Sequence, residues 1–479
     1  MHRARLVQQG FLREVMKGWL ISTSPGSDLQ DTTPWYASFW EFCARYCSQR
    51  FGDQWHLSPE QSLLLHAANT VIPEQLIIYT PKGNNNTIDL PFGTSLYDLE
   101  QPHMPPATDL TAWDGLPIYT SAAALAKVPS AFFQRRPLEA RVALSGIRDA
   151  SDVLAHLLDR GRSVVAGRLT GAFRRNGQAN IADEIHRTMK AAGYDVRETD
   201  PFVTGRSFRI VDTTAAPIVG RLQAMWEGFR KPIVETFPAA PGLPTDTEDY
   251  LRFVDEVYEN DAYHSLSIEG YVVTPELIER VQAGDWDPDN LEADRASRDA
   301  LAARGYWESY QLVKDAVARI LAGENAGRLV RSAHRDWYRA LFLPCVRAGL
   351  VEASALAGYR NDAVFLRGSR HVPPRWEVVR DAMPALFDLL EQEPEPSVRA
   401  VLSHWLLGYI HPYPDGNGRM ARLAMNAMLA SGGYPWTVIR VNDRAGYMAA
   451  LESASVEMDI QPFAAFVAER VRWSLARSA

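Results

Sequence analysis

The chain has 479 residues, 46% of them apolar and 23% charged, with a formal net charge of −8. That composition belongs to a folded globular chain of roughly two to four domains, and excludes disordered, collagen-like and disulfide-stapled classes. The acidic balance argues against a nucleic-acid partner, and no apolar run approaches the ~20 residues of a membrane helix, so no membrane partner is expected.

The first twenty residues carry charges throughout and lack an apolar core, which reads as the absence of a signal peptide. Cys43, Cys47 and Cys345 are few and odd in number, so a reducing compartment, the cytoplasm, is expected. From Arg3 to Leu20 a short helical pattern turns into the apolar strand Gly18-Trp19-Leu20-Ile21-Ser22, as a winged helix ends. Almost nothing precedes the position of its recognition helix, so the winged helix is truncated and a docking role fits better than DNA binding. Ser58-Pro59-Glu60-Gln61 is a helix start, with a capping serine, a first-turn proline and a glutamine three on. Gln75 to Tyr79 reads as a strand. Residues 80–150 mix short apolar runs with turns such as Lys82-Gly83-Asn84-Asn85-Asn86. Residues 151–205 read as helices, one of them Ile181 to Ala192 closed by Gly193.

The expected organisation is therefore a mixed α/β region over 1–205, a linker over 206–246, and a helical domain over 247–479. The linker is clearest at Pro238-Ala239-Ala240-Pro241-Gly242-Leu243-Pro244. The fold class is mainly α. A long helix from Thr247 through Tyr263 leads to Ser265-Leu266-Ser267-Ile268-Glu269-Gly270, where Gly270 caps the helix. Glu269 there opposes the helix dipole and wants a cationic partner. Val364-Phe365-Leu366-Arg367, between Gly358-Tyr359-Arg360 and His371-Val372-Pro373-Pro374, reads as a strand of a small β-hairpin. Ser397 to Ile410 reads as a helix, with Val398, Val401, Leu402, Trp405, Leu406 and Tyr409 on one stripe.

Next comes the most informative stretch, His411-Pro412-Tyr413-Pro414-Asp415-Gly416-Asn417-Gly418-Arg419-Met420-Ala421-Arg422. A second helix follows from Arg419 to Ala430, ended by Ser431-Gly432-Gly433. The motif is thus a loop entering a helix. The first N–H groups of a helix lack intrahelical partners and carry the positive end of its dipole. Gly416 and Gly418 let a ligand approach that backbone, which suits a phosphate. Asp415 is an oxygen ligand of the kind Mg²⁺ takes alongside substrate phosphates. Arg419 and Arg422 share a helix face and match phosphate oxygens. His411 can take a proton near neutral pH. Gly416 to Ala421 also fits the dinucleotide pattern G-x-G-x-x-A, with Asp443 downstream, but that needs a strand before the first glycine and the pattern here is helical.

The stretch resembles the signature of Fic-domain proteins, His-Pro-Phe-x-(Asp/Glu)-Gly-Asn-Gly-Arg-x-x-Arg, with Tyr413 in place of Phe. The resemblance implies transfer of AMP from ATP to a Ser, Thr or Tyr hydroxyl of a protein, the target including the protein itself. It implies His411 as the base, Asp415 as the Mg²⁺ ligand, and Gly416, Asn417, Gly418 and Arg419 as the ATP phosphate cradle. Arg422 would meet the γ-phosphate. Ser265, Glu269 and Gly270 match the family's inhibitory motif, upstream as in the subgroup with an N-terminal inhibitory helix, and Glu269 would compete for Arg422. Val364 to Arg367 would form the flap that clamps the target. Tyr447 and Ser455 would line the adenosine pocket, although family members often carry Asn at the latter. Residues 1–205 resemble the regulator region of bacterial abortive-infection antitoxins. Removal of AMP, transfer of another nucleotide or phosphate group, and an antitoxin-like regulator stay open, as does a homo-oligomer.

Overall fold

The computed structural model describes residues 2–26, 28–159, 162–202, 216–284 and 298–478. It divides into two units, one of Met1–Met225 with Phe365–Val372, the other of Trp226–Val364 with Pro373–Ala479.

In the first unit, α1 (His2–Gln8) precedes an antiparallel hairpin of β1 (Leu12–Met16) and β2 (Trp19–Ser22). Helix α2 (Thr33–Phe51) buries Trp35, Phe39 and Phe42 along one face, with Trp35 edge-on to both phenylalanines. It packs into one core with Leu76, Ile78 and Leu96. Those residues alternate inward along β4 (Gln75–Thr80) and β6 (Ser95–Glu100), as the two-residue period of a strand requires. With β3 (His56–Leu57) and β5 (Asn86–Asp89) they form a sheet in the order β3-β4-β6-β5, in which only β4 and β6 are parallel. Between β3 and β4, α3 (Pro59–His66) starts where expected, the Ser58 hydroxyl accepting from the Gln61 N–H at 3.1 Å. A second hairpin, β7 (Leu110–Trp113) and β8 (Leu116–Tyr119), is followed by α4 to α9, from Ser121–Lys127 to Ala179–Ala191, around a separate core that includes Leu125, Phe133, Leu157, Phe173 and Ile185.

Two expectations need correction. The stretch 206–246 is not a linker throughout: Pro217–Thr236 form α10, and the division between the units falls inside it. Ile218, Leu222, Met225, Phe229 and Ile233 recur at helical spacing and are buried, and burying each stabilises by roughly 2 kcal/mol. Pro238–Pro244 is irregular, and residues 203–215 lie outside the described residues. Nor do Val364, Phe365, Leu366 and Arg367 form a strand. The Leu366 carbonyl is taken instead by the Ser369 N–H at 3.1 Å in a turn, the Arg367 side chain pairs with Asp28 at 2.8 Å, and the next N–H, of Gly368, donates to the Thr32 hydroxyl at 3.0 Å, all within the first unit.

The second unit is helical: α11 (Thr247–Ile268), α12 (Pro275–Ala283), α13 (Arg298–Leu321), α14 (Ala326–Arg347), α15 (Trp376–Gln392), α16 (Pro396–Ile410), α17 (Asn417–Ala430), α18 (Arg444–Glu452) and α19 (Gln461–Ser478). Helices α16 and α17 are buried almost all round, as their apolar residues on every face dictate. They pack against each other along their length, and the loop between them joins their ends. Among the described residues no helix is long and apolar enough to cross a membrane. All three cysteines are buried thiols without disulfides.

Candidate active site

Helix α16 stops because His411 turns into the left-handed region, φ 51° and ψ 59°, and Pro412 follows with no N–H to continue the ladder. Helix α17 starts at Gly416, whose φ of 77° favours glycine, and a Cβ there would come within 2.8 Å of the Phe342 ring. Asn417 staples the loop between them. Its amide oxygen accepts from the Tyr413 N–H at 2.9 Å and its amide nitrogen donates to the Tyr413 carbonyl at 2.8 Å. The Tyr413 ring stacks on Tyr338 with centroids 3.9 Å apart. The Asn417 side chain therefore shapes the loop, which leaves only its backbone for a ligand.

His411 sits at this loop with Nδ1 3.3 Å from the Gly408 carbonyl. A carbonyl only accepts, so Nδ1 carries the proton and the Nε2 lone pair is free. Burial pushes the imidazole down to about 4, helped by the Arg360 charge and opposed by Gly408, Glu269 and Asp415. The ring is thus neutral at pH 7 and able to accept a proton.

Two arginines lie along the first turns of α17. Arg419 is 1% exposed and sandwiched between the rings of Tyr271 and Phe342, with its guanidinium 5.1 and 5.0 Å from their centroids. Its Nη2 is 3.6 Å from the Asp415 carboxylate. Arg422 is 2% exposed; its Nε donates to the Ser265 hydroxyl at 2.8 Å and its Nη2 to the Ser265 carbonyl at 3.0 Å and to Glu269 Oε1 at 2.6 Å. Burial pushes Arg422 down, but the Glu269 charge outweighs it and holds the guanidinium above its usual value. Burial likewise pushes Glu269 up, and Arg422, then Arg419 and His411, hold its carboxyl below the usual range.

Glu269 also covers the start of α17. A Cβ placed on Gly418 would lie 2.2 Å from Glu269 Oε1 and 3.3 Å from Arg422 Nη1. The carboxylate thus rests where the helix N-terminus and Arg422 would take an anion. Gly270, at φ 87°, then turns the chain out of α11. Among the described residues, Arg419 Nε, Arg419 Nη2 and Arg422 Nη1 are buried without a hydrogen-bond acceptor. Three such donors in one place leave hydrogen-bonding capacity that the two nearby carboxylates, Glu269 and Asp415, do not fill.

Tyr447 lies in the interior beside Arg422. It is 2% exposed, its hydroxyl bonded to His404 Nε2 at 2.7 Å, and burial pushes it up to about 12 against the pull of Arg422. It backs Arg422 from behind. Ser455 accepts from the Trp405 ring N–H at 3.0 Å. Asp415 is the most open of the group, with 63% of its side chain accessible and one oxygen accepting from the Gly416 N–H at 2.6 Å. That donor set, one exposed carboxylate beside buried unpaired N–H groups, fits Mg²⁺ arriving with polyphosphate, since Mg²⁺ takes one or two carboxylates and completes its shell with phosphates and water.

Sequence reasoning missed the rings around Arg419, because Tyr271 and Phe342 carry no local signal beyond being aromatic. It also missed Asp261, 3% exposed beneath Ser265, which accepts from the Tyr306 hydroxyl at 2.6 Å and is pushed up to about 6 by burial.

The core is helical and presents this loop beside buried arginines, and residues 329–429 match the model of the Fic/DOC family. This part of the chain is a Fic domain. The chain is 48% identical over 114 residues to protein adenylyltransferase Fic of Nematostella vectensis, covering 23% of this chain and 26% of that one. It is 35% identical over 112 residues to protein adenylyltransferase fic-1 of Caenorhabditis elegans, covering 22% of each. The chain thus spans about a quarter of the length of these curated relatives. A solved structure of C. elegans Fic-1 aligns at 18% identity and a TM-score of 0.40, covering 68% of this chain and 91% of that one.

Proposed function

We propose that this protein is an adenylyltransferase that moves AMP from ATP to a Ser, Thr or Tyr hydroxyl of a protein, and that Glu269 holds it shut. The observation that carries this reading is the meeting of a neutral His411 with three buried guanidinium N–H groups that lack a hydrogen-bond acceptor at the start of α17. The target hydroxyl oxygen attacks the α-phosphorus of ATP, its proton passes to His411 Nε2, and pyrophosphate leaves. Arg419, Arg422 and the first-turn backbone of Gly416 to Gly418 hold the polyphosphate, whose charge they balance in a water-poor site. Bound Mg²⁺ would neutralise phosphate charge, and Asp415 would hold it. Val364 to Arg367, outside any strand ladder, would be the segment that pairs with the target's backbone. Three buried, unpaired thiols support a reducing compartment, the cytoplasm.

The test is incubation with α-labelled ATP and Mg²⁺, alone and with a cell extract. Glu269→Gly is expected to transfer label to protein while the wild type transfers little. Adding His411→Ala should abolish transfer but keep ATP affinity, because the base acts only in the chemical step. Transfer only from other nucleotides, or only loss of AMP from labelled protein, would replace this reading by one of its two runners-up.

A further inference from the structure

His411 is held in an unfavourable conformation. A side-chain-bearing residue in the left-handed region is destabilised, and persists only where its surroundings enforce it. Here the end of α16 leaves carbonyls that need donors, and Pro412 and Pro414 have no N–H to give.

Arg360 supplies them. Its backbone N–H donates to the Pro412 carbonyl at 2.9 Å. Its Nε donates to the carbonyl of His411 itself at 2.7 Å, and its Nη2 to the Ile410 carbonyl at 3.4 Å and to the Pro374 carbonyl. Nη1 donates to the Asp362 carbonyl at 2.9 Å. The residue is 2% exposed. The planar, rigid fork thus grips the carbonyls of the base and of the residue before it and ties them to the Asp362 and Pro374 carbonyls, while the Arg360 backbone N–H holds the carbonyl after the base. The cation also sits at the negative end of the α16 dipole.

We propose that Arg360 is a positioning residue for the base: by binding the Ile410, His411 and Pro412 carbonyls it fixes the left-handed turn and with it the direction of His411 Nε2. The inference rests on the adenylyltransferase reading for its catalytic consequence, and on geometry alone for its effect on the imidazole.

The experiment compares Arg360→Lys and Arg360→Gln in the Glu269→Gly background. A lysine keeps the charge but cannot reach these carbonyls as a fork. Both variants should lose on the order of 100-fold in kcat, as misplacement of a reacting group by about 1 Å does, with ATP affinity changed less than about twofold. Nitrogen NMR of the His411 ring is followed alongside; the charged groups facing it are Arg360, Glu269 and Asp415. Its titration should move upward in Arg360→Gln and stay low in Arg360→Lys. Wild-type kcat in both variants, or equal losses of kcat and ATP affinity, overturns the proposal. Should Arg360→Gln fail to fold, Arg360→Lys carries the same kcat and affinity comparison. Should the Glu269→Gly parent transfer nothing, the adenylyltransferase reading fails, and an unmoved ring titration in folded Arg360→Gln then overturns the Arg360 proposal separately.

Discussion

Removing Glu269 should activate the enzyme through one identified bond. Glu269 Oε1 is 2.6 Å from Arg422 Nη2 and lies over Gly418, so in the proposed reaction the γ-phosphate would displace it. The Arg422 side chain is 3% accessible and the Glu269 side chain 28%, so the pair is buried on one side only. Breaking a fully buried pair costs about 3–5 kcal/mol; discounting for the open side leaves about 1.5–3 kcal/mol, or roughly 10- to 100-fold in occupancy of the productive state. In Glu269→Gly, Arg422 keeps both bonds to Ser265, so it stays in place with Nη1 and Nη2 open to phosphate. The assay is radiolabel from α-labelled ATP in wild type, Glu269→Gly, Arg422→Ala and the double variant. Glu269→Gly should exceed wild type by at least tenfold, and adding Arg422→Ala should cancel the gain, because the productive contact goes with the inhibitory one. A double variant as active as Glu269→Gly would refute the shared-arginine mechanism even if AMP transfer were established.

Gly418→Ala should break the same ion pair without activating, because its methyl, 2.2 Å from the present Oε1 position, takes the room of the phosphate; labelling as strong as in Glu269→Gly would contradict this. Asp415→Asn in the Glu269→Gly background should raise the Mg²⁺ needed for half-maximal labelling, since an amide is the poorer ligand; a superimposable Mg²⁺ titration removes Asp415 from that role. Stability should fall between pH 7 and pH 5. Burial pushes His334 down to about 4 and His404 to about 3, so between pH 6.5 and 4 the unfolded chain binds protons that the folded one refuses. At pH 5 each contributes a loss of about 2 kcal/mol against an unfolded value near 6.5. Asp261, pushed up to about 6, works the other way and restores roughly 1 kcal/mol. Calorimetry showing a Tm at pH 5 equal to or above that at pH 7 would contradict the sum.

Several features were legible in the residues alone because they are set locally. The end of one helix at His411 and the start of the next near Gly416 follow from proline and glycine chemistry. Ser58 caps its helix because the hydroxyl and the N–H it binds are three residues apart. Glu269 at a helix C-terminus announced its need for a cation from the dipole alone, and its pairing with Arg422 followed from the family resemblance.

What the order of residues could not reveal lies across long chain separations, where only packing decides. The same apolar spacing that marks α16 also runs through Pro217–Thr236, but the proline-rich Pro238–Pro244 after it made the segment look like linker. Val364–Leu366 has the composition of a strand, yet a strand exists only if another backbone offers a ladder, and here side chains and turns satisfy it instead. Asn417 resembles a ligand in sequence and proves to be a staple, because its amide matches both backbone groups of Tyr413. The bond of Tyr447 to His404 joins residues 43 apart. The grip of Arg360 on the His411 backbone joins residues 51 apart. Nothing in either segment specifies it; the chain must fold before an arginine fork and three stranded carbonyls can meet.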